Sequence, residues 1–296
     1  METRSGFIAI VGKPNVGKSS LLNALVGEKV AIVSDKPQTT RTRIMGVLTR
    51  EGTQYVFIDT PGLHKPRTKL SEHMVKAVGE SIADVDAAVL VVEPDGPVTK
   101  AEQDLIENFK RMRIPAILCI NKIDLLQKKE DLMKRILAYS QLFDFEAVIP
   151  ISALKGDGID IVFSELDKHM QPGPHFFPDD MLTDQPERVV ASEIIREKML
   201  RLLRDEIPHG AAVAIESMKE RENGQLTDVE AVIYCERESH KGIIIGKGGR
   251  MLKEISSQAR TDMESFFGVH INLQCWVKVK EDWRNREGII RSLGLS

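Results

Sequence analysis

Through about residue 170, short apolar runs alternate with longer amphipathic stretches. The runs at 7–11, 54–59, 87–92, 115–120 and 146–151 are dense in Val, Ile, Leu and Phe and lack the polar alternation of a half-exposed strand. They read as strands buried on both faces, as in a parallel sheet covered by helices. Between them, 18–27, 69–83, 99–112, 129–139 and 158–170 carry apolar residues at helical spacing, with Lys, Glu and Asp on the remaining face. The stretch 43–50 mixes polar and apolar positions and meets 54–59 across Glu51-Gly52, a hairpin that makes one antiparallel edge. The prediction is an α/β domain with a mostly parallel six-stranded sheet and one antiparallel strand.

From His169 to Pro186 the pattern dissolves into Pro172, Gly173, Pro174, Pro178 and Pro186 with acidic residues between. Proline brings no backbone donor to helix or sheet, so this stretch reads as a linker. A helix-like stretch (191–206) follows, then strand-like stretches 211–221 and 226–236 about a turn at Glu222-Asn223-Gly224-Gln225. A further helix leads into a glycine-rich turn, a long helix (250–266) and a last strand (270–280). The expected domains are 1–170, a proline-rich linker 171–187, and an α+β domain 188–296.

A chain of 296 residues, 42% hydrophobic and 29% charged, supports two such cores. Its net charge of -3 predicts no nucleic-acid or membrane partner globally, so a basic patch would have to be local. Cys119, Cys235 and Cys275 are odd in number and lack zinc-ligand spacing, which predicts neither disulfide nor structural metal and fits a cytoplasmic, reducing compartment. The strand-like Phe7–Val11 follows the start too closely for an export signal. No apolar run approaches the ~20 residues of a membrane span, which leaves peripheral contact open.

Gly12-Lys13-Pro14-Asn15-Val16-Gly17-Lys18-Ser19 fits G-x-x-x-x-G-K-[ST], with a strand before it and an amphipathic helix, beginning with Ser20 and Leu21, after it. In such a loop successive N–H groups and the helix N-terminus face phosphate oxygens. Lys18 would neutralise the β- and γ-phosphates and Ser19 would ligate Mg²⁺. Asp59-Thr60-Pro61-Gly62 closes the strand 54–59 at the ligand-facing edge of the sheet. Asp59 is placed there to hold Mg²⁺ through a water, and the Gly62 N–H to approach the γ-phosphate.

Asn121-Lys122-Ile123-Asp124 follows the strand 115–120. The Asp124 carboxylate can accept from guanine N1–H and the exocyclic amine, and adenine would leave it unpaired, a difference worth ~10⁴–10⁵ in discrimination. Asn121 would tie this loop to the phosphate loop, the Lys122 stem would cover the base, and in Ser152-Ala153-Leu154 the Ala153 N–H would donate to guanine O6. The ligand is therefore GTP or GDP rather than an adenine nucleotide. Between loop and hairpin lies the polar segment Asp35 to Arg43, whose order should depend on ligand. Thr40 is the preferred hydroxyl for Mg²⁺ and γ-phosphate, with Thr39 its rival.

In this order, G-K-P-N-V-G-K-S, P-Q-T-T-R, D-T-P-G, N-K-I-D and S-A-L resemble the TrmE-Era-EngA group of translation-associated GTPases. The resemblance assigns Thr40, Asp59, Gly62, Asn121, Asp124 and Ala153 the roles argued above. The chain departs from Ras-like GTPases at Leu63, where a glutamine would orient the attacking water. Catalysis then rests on Lys18, Thr40, Gly62 and, on one of two readings, Asn15. In related GTPases an asparagine there helps hold K⁺ against the phosphates, and the other reading is that Asn15 only shapes the loop. His64, beside Leu63, reads as a bystander.

Gly246-Lys247-Gly248-Gly249, preceded by Ile243-Ile244-Ile245 and followed by Met251, Leu252 and Ile255, fits the G-x-x-G turn of a KH module. A turn poor in side chains lets a single-stranded RNA backbone come close. Arg237, Lys241, Lys247, Arg250 and Lys253 form the local basic patch, and Ile244 and Ile245 with the strand 226–236 are expected to floor the bases. Trp276 and Trp283 could serve as stacking platforms for bases, but a tryptophan in or near a terminal strand more often packs, and the structural reading is preferred for both. With the connector, Glu193-Ile194-Ile195-Arg196-Glu197-Lys198 and this module, the resemblance narrows to the Era family and covers essentially the whole chain. It implies a monomer that binds near the 3′ end of 16S rRNA during 30S assembly, with peripheral association at the inner membrane. The competing reading is an RNA-binding protein whose nucleotide fold is structural, and the intact phosphate, Mg²⁺ and guanine motifs argue against it.

Overall fold

Strands built from uninterrupted Val, Ile, Leu and Ala have no polar face to offer water, so helices must cover both sides. The computed structural model describes residues 3–34, 36, 39–62, 68–82, 85–204, 207–221 and 224–295, the side chains at 75 and 77–82 excepted. Leu63, His64, Asp35, Pro37 and Gln38, and Glu222-Asn223 of the expected turn, lie outside the described residues.

In the first half the strands are β1 (Arg4–Gly12), β2 (Ile44–Arg50), β3 (Thr53–Asp59), β4 (Ala87–Val92), β5 (Ala116–Ile120) and β6 (Ala147–Pro150). They run in the order β2-β3-β1-β4-β5-β6. β2 is antiparallel to β3 and the other neighbours are parallel. The helices are α1 (Lys18–Val26), α2 (Lys69–Ile82), α3 (Lys100–Met112), α4 (Lys129–Ser140) and α5 (Ile159–Leu166). Alternate residues of β1 serve opposite cores. Ile8 and Ile10 pack with Leu21, Leu22 and Val162 of α1 and α5, whereas Ala9 and Val11 pack with Phe109 and Tyr139 of α3 and α4. Each fully buried Leu, Ile or Phe contributes about 1.5–3 kcal/mol by leaving water.

The proline-rich stretch departs from the expected plain linker. Gln171–Pro172 forms a seventh strand, β7, antiparallel to β1. Ser5 Oγ donates to the Pro174 carbonyl at 3.0 Å. Gln54, fully buried, donates to Phe177 O at 2.8 Å and accepts from the Phe176 and Phe177 N–H groups at 2.8 and 2.9 Å. Val47 N–H donates to Leu182 O at 2.9 Å. Prolines lack donors but keep their carbonyls, and the stretch is held largely through its acceptors and the donors between the prolines.

Contacts divide the chain into two units, Met1–Ala31 with Thr40–Pro66 and Met74–Asp184, and Ile32–Thr39 with Arg67–His73 and Gln185–Ser296. In the second unit α6 (Glu187–Leu202) begins four residues before the expected 191, because Pro186 opens the helix and accepts from Val189 N–H at 2.8 Å. β8 (Ala212–Glu220), β9 (Leu226–Cys235), α7 (Glu238–Ile245), α8 (Arg250–Phe267), β10 (His270–Val279) and the short α9 (Glu287–Ser292) follow. The sheet order is β10-β9-β8, with β9 parallel to β10 and antiparallel to β8. Val190, Ile194, Ile195 and Met199 of α6 pack with Ile255, Ala259 and Met263 of α8 over Val229, Ala231 and Ile233 of β9. The charged middle of α6 is also buried, and its members pair: Arg196 with Glu193, Glu197 with Arg201, Lys198 with Asp262.

Candidate functional site

Gly12 ends β1 and Lys18 begins α1, so the loop between them bends at the carboxyl edge of the sheet. Gly17 has φ 97°, and a Cβ there would lie 2.2 Å from Asn121 Nδ2, so only glycine fits where the two motifs meet. Asn121, 3% exposed, donates to the Val16 carbonyl at 2.8 Å and accepts from the Ala153 N–H at 2.9 Å. One amide side chain thus fastens the phosphate loop, the N-K-I-D loop and the S-A-L loop. Ser152 Oγ donates to Asp124 Oδ1 at 2.5 Å and so orients the carboxylate. Lys122 Nζ lies 2.5 Å from both the Asn15 carbonyl and Glu93 Oε1. Leu154 is largely exposed.

Buried Lys18 donates to the Lys13 carbonyl at 2.9 Å. Burial pushes its ammonium down to about 8, against the pull of the Asp59 charge. Ser19 Oγ donates to Asp59 Oδ2 at 2.6 Å and lies 3.0 Å from Thr40 Oγ1, which is 3.3 Å from the same carboxylate oxygen. The Thr39 hydroxyl instead donates to Lys36 O at 2.6 Å. Asp59 is fully buried and its Oδ1 has no hydrogen-bond partner. Burial raises its carboxyl above the usual range, opposed by Lys18, Ser19 and Thr40. Two hydroxyls and a carboxylate with a spare buried oxygen form a hard oxygen donor set of the kind Mg²⁺ takes. Gly62 stands against Pro14, where a Cβ would come within 2.6 Å of Pro14 Cα.

Sequence reasoning missed three residues around this loop. Glu93 pairs with Lys122 and Glu102 with Lys13, while Arg135 stands against Glu102 from behind. The Thr99-x-x-Glu102 spacing was a readable helix-start signal, but nothing in the pattern marked the glutamate as buried.

In the second unit α7 and α8 meet at Gly246–Gly249. Gly246 has φ 72° and its missing Cβ would lie 2.7 Å from Met251 Cβ, so it lets the helices close up. Around Gly248 and Gly249 a Cβ would meet nothing within 4 Å, which leaves the turn open to an incoming backbone. Arg237, Lys247, Gly248, Arg250 and Lys253 are exposed, and Lys241 lies 3.9 Å from Glu238. The expectation for Ile244 is corrected: it is 0% exposed within the core and cannot touch a base. Ile245 is half-buried against that core, whereas Ile243 stands 49% exposed. A helix turns each successive residue by about 100°, so only one of three consecutive isoleucines can face out. Trp283 is buried and donates to Gly210 O at 2.9 Å, a structural role, and Trp276 is exposed.

The family described as "50S ribosome-binding GTPase" matches residues 7–122, and the KH domain family matches residues 206–284. "GTPase Era" of Clostridioides difficile is 53% identical over 98% of this chain and 98% of its own length. "GTPase Era" of Caldanaerobacter subterraneus is 47% identical over 99% and 98%. A crystal structure of Era in complex with MgGDPNP and nucleotides 1506–1542 of 16S ribosomal RNA superimposes with a TM-score of 0.93 at 37% identity, covering 99% of both chains. An Aquifex aeolicus Era variant bound to GDP·AlF4⁻ gives 0.95 at 37% identity, covering 99% of this chain and 100% of that one.

Proposed function

The chain belongs to the Era family of GTPases, and from that membership we propose a GTP-hydrolysing switch whose nucleotide state governs its grip on single-stranded RNA. The RNA is the 3′ end of 16S rRNA, and the setting is small-subunit (30S) assembly. The observation that carries the reading is one chain with a guanine-specific phosphate site and an open, basic G-x-x-G turn. Residues 1–170 are the GTP-binding part and 188–296 the RNA-binding part. The protein acts as a monomer in the cytoplasm, and peripheral contact with the inner membrane belongs to the same reading.

Lys18 and the loop N–H groups bind the β- and γ-phosphates, and Asp124, steadied by Ser152, selects guanine. Ser19, Thr40 and, through a water, Asp59 would hold Mg²⁺, which when bound supplies positive charge against the phosphates. Thr40 couples the γ-phosphate to the segment before β2, because its hydroxyl already faces Ser19 and Asp59. Gly62, packed on Pro14, brings its N–H beside the same loop. With Leu63 at the glutamine position, unassisted turnover stays at roughly 10⁻⁴ to 10⁻² s⁻¹.

Asn15 supports K⁺ as an additional ion: it sits in the loop with φ 64°, its carbonyl gripped by Lys122. GTP turnover should be faster in KCl than in NaCl at matched ionic strength, and equal rates would leave Asn15 only the shaping role. For the RNA reading, Lys247→Asp with Gly248→Asp should abolish binding to single-stranded RNA without lowering the melting temperature. Unchanged affinity with an intact fold would remove this turn from the site.

A further inference from the structure

The carboxylate of Glu102 is completely buried, and its position in α3 does not by itself require that. Glu102 closes a capping box, accepting through Oε2 from the Thr99 N–H and Thr99 Oγ1, both at 2.7 Å. Glutamine serves that purpose equally well in such boxes. Taking a full negative charge out of water costs several kcal/mol, more than a cap returns. The charge therefore answers to something else.

Its second oxygen, Oε1, meets no donor at full hydrogen-bonding geometry; it faces two cations, Lys13 Nζ at 3.4 Å and Arg135 Nη2 at 3.8 Å, and the Tyr139 hydroxyl lies beside the same carboxylate. Arg135 is committed elsewhere: it donates to Glu93 O at 3.0 Å and Gly96 O at 2.7 Å and lies over the Tyr139 ring. It anchors the carboxylate to the segment leaving β4. Lys13 is the partner that belongs to the phosphate loop. Its carbonyl is also the acceptor on which Lys18 rests, so fixing Lys13 fixes the loop on the side from which Lys18 is aimed.

We propose that Glu102 is a positioning residue for the nucleotide: through Lys13 it holds the outer arm of the phosphate loop against the start of α3, with Arg135 as its anchor. It touches no phosphate itself. The inference rests on the reading of the loop as a guanine-nucleotide site and names what sets that site's shape.

The test is a double-mutant cycle in the full-length protein, read by the dissociation rate of fluorescently labelled GDP and of a labelled non-hydrolysable GTP analogue. Lys13→Met and Glu102→Gln should each speed release about tenfold for both nucleotides, and the double variant should be no faster than either. Glu102→Gln leaves Arg135 without its counter-charge and should also lower the melting temperature. Lys13→Met keeps that pair and carries the kinetic effect with the fold intact. Effects that multiply in the double variant, or a Glu102→Gln protein that melts early yet releases nucleotide at the wild-type rate, would overturn the inference. Wild-type protein that bound neither nucleotide would overturn the reading beneath it, and the inference too.

Discussion

Lys18 shows how burial prepares a cation for a partner charge still to arrive. Its ammonium sits at about 8 instead of 10.5 because the site strips its water. Between those values the unfolded chain binds more protons than the folded one, so this group's destabilisation of the empty protein is full below about 8 and fades as pH rises toward 10.5. Phosphate oxygens would favour the charged form, so nucleotide binding above pH 8 must take up a proton. Calorimetry at a pH above that value, in two buffers of different ionisation enthalpy, should show a binding heat that depends on buffer. Heats equal in both buffers would place the Lys18 titration elsewhere.

At the scale of elements, the isoleucines of α7 separate packing from recognition. Ile244→Ala should cost about 2–5 kcal/mol of stability in chemical denaturation, as expected for a core side chain with no room to relax. Ile243→Ala, at an exposed position, should cost little, and its effect should appear in RNA affinity. Equal destabilisation by both would contradict the burial of α7. The same helix marks where sequence pattern loses resolution, because three apolar residues in a row carry no phase. Strands buried on both faces were legible because their composition is unmistakable, as in β4, found at 87–92 as expected. Less legible was the stretch after 170: proline there signals missing donors, but which carbonyls would be used depends on Gln54 and Ser5, over a hundred residues away. The site divides likewise. Ser19, Asn121 and Asp124 announce themselves by spacing, whereas Glu102 and Arg135 matter through burial, which no local pattern encodes.

For the whole molecule, the guanine site and the open glycine turn acquire a common purpose only if one reports on the other. Thr40 follows directly on Ile32–Thr39, a segment that groups with the second unit although it lies between α1 and β2 in sequence. Arg196 donates to the Thr39 carbonyl and Glu197 accepts from the Val33 N–H at 3.2 Å, so the segment is held near both its ends. On the proposed reading, the hydroxyl that Mg²⁺ and γ-phosphate would recruit is thus one peptide bond from a carbonyl gripped by α6. The most direct test is equilibrium binding of a single-stranded RNA carrying the 3′-terminal sequence of 16S rRNA to protein loaded with Mg²⁺ and a non-hydrolysable GTP analogue, or with GDP. Affinity should be at least about tenfold tighter in the GTP-analogue state, a coupling within the usual 1–3 kcal/mol. Equal affinity in the two states would contradict it.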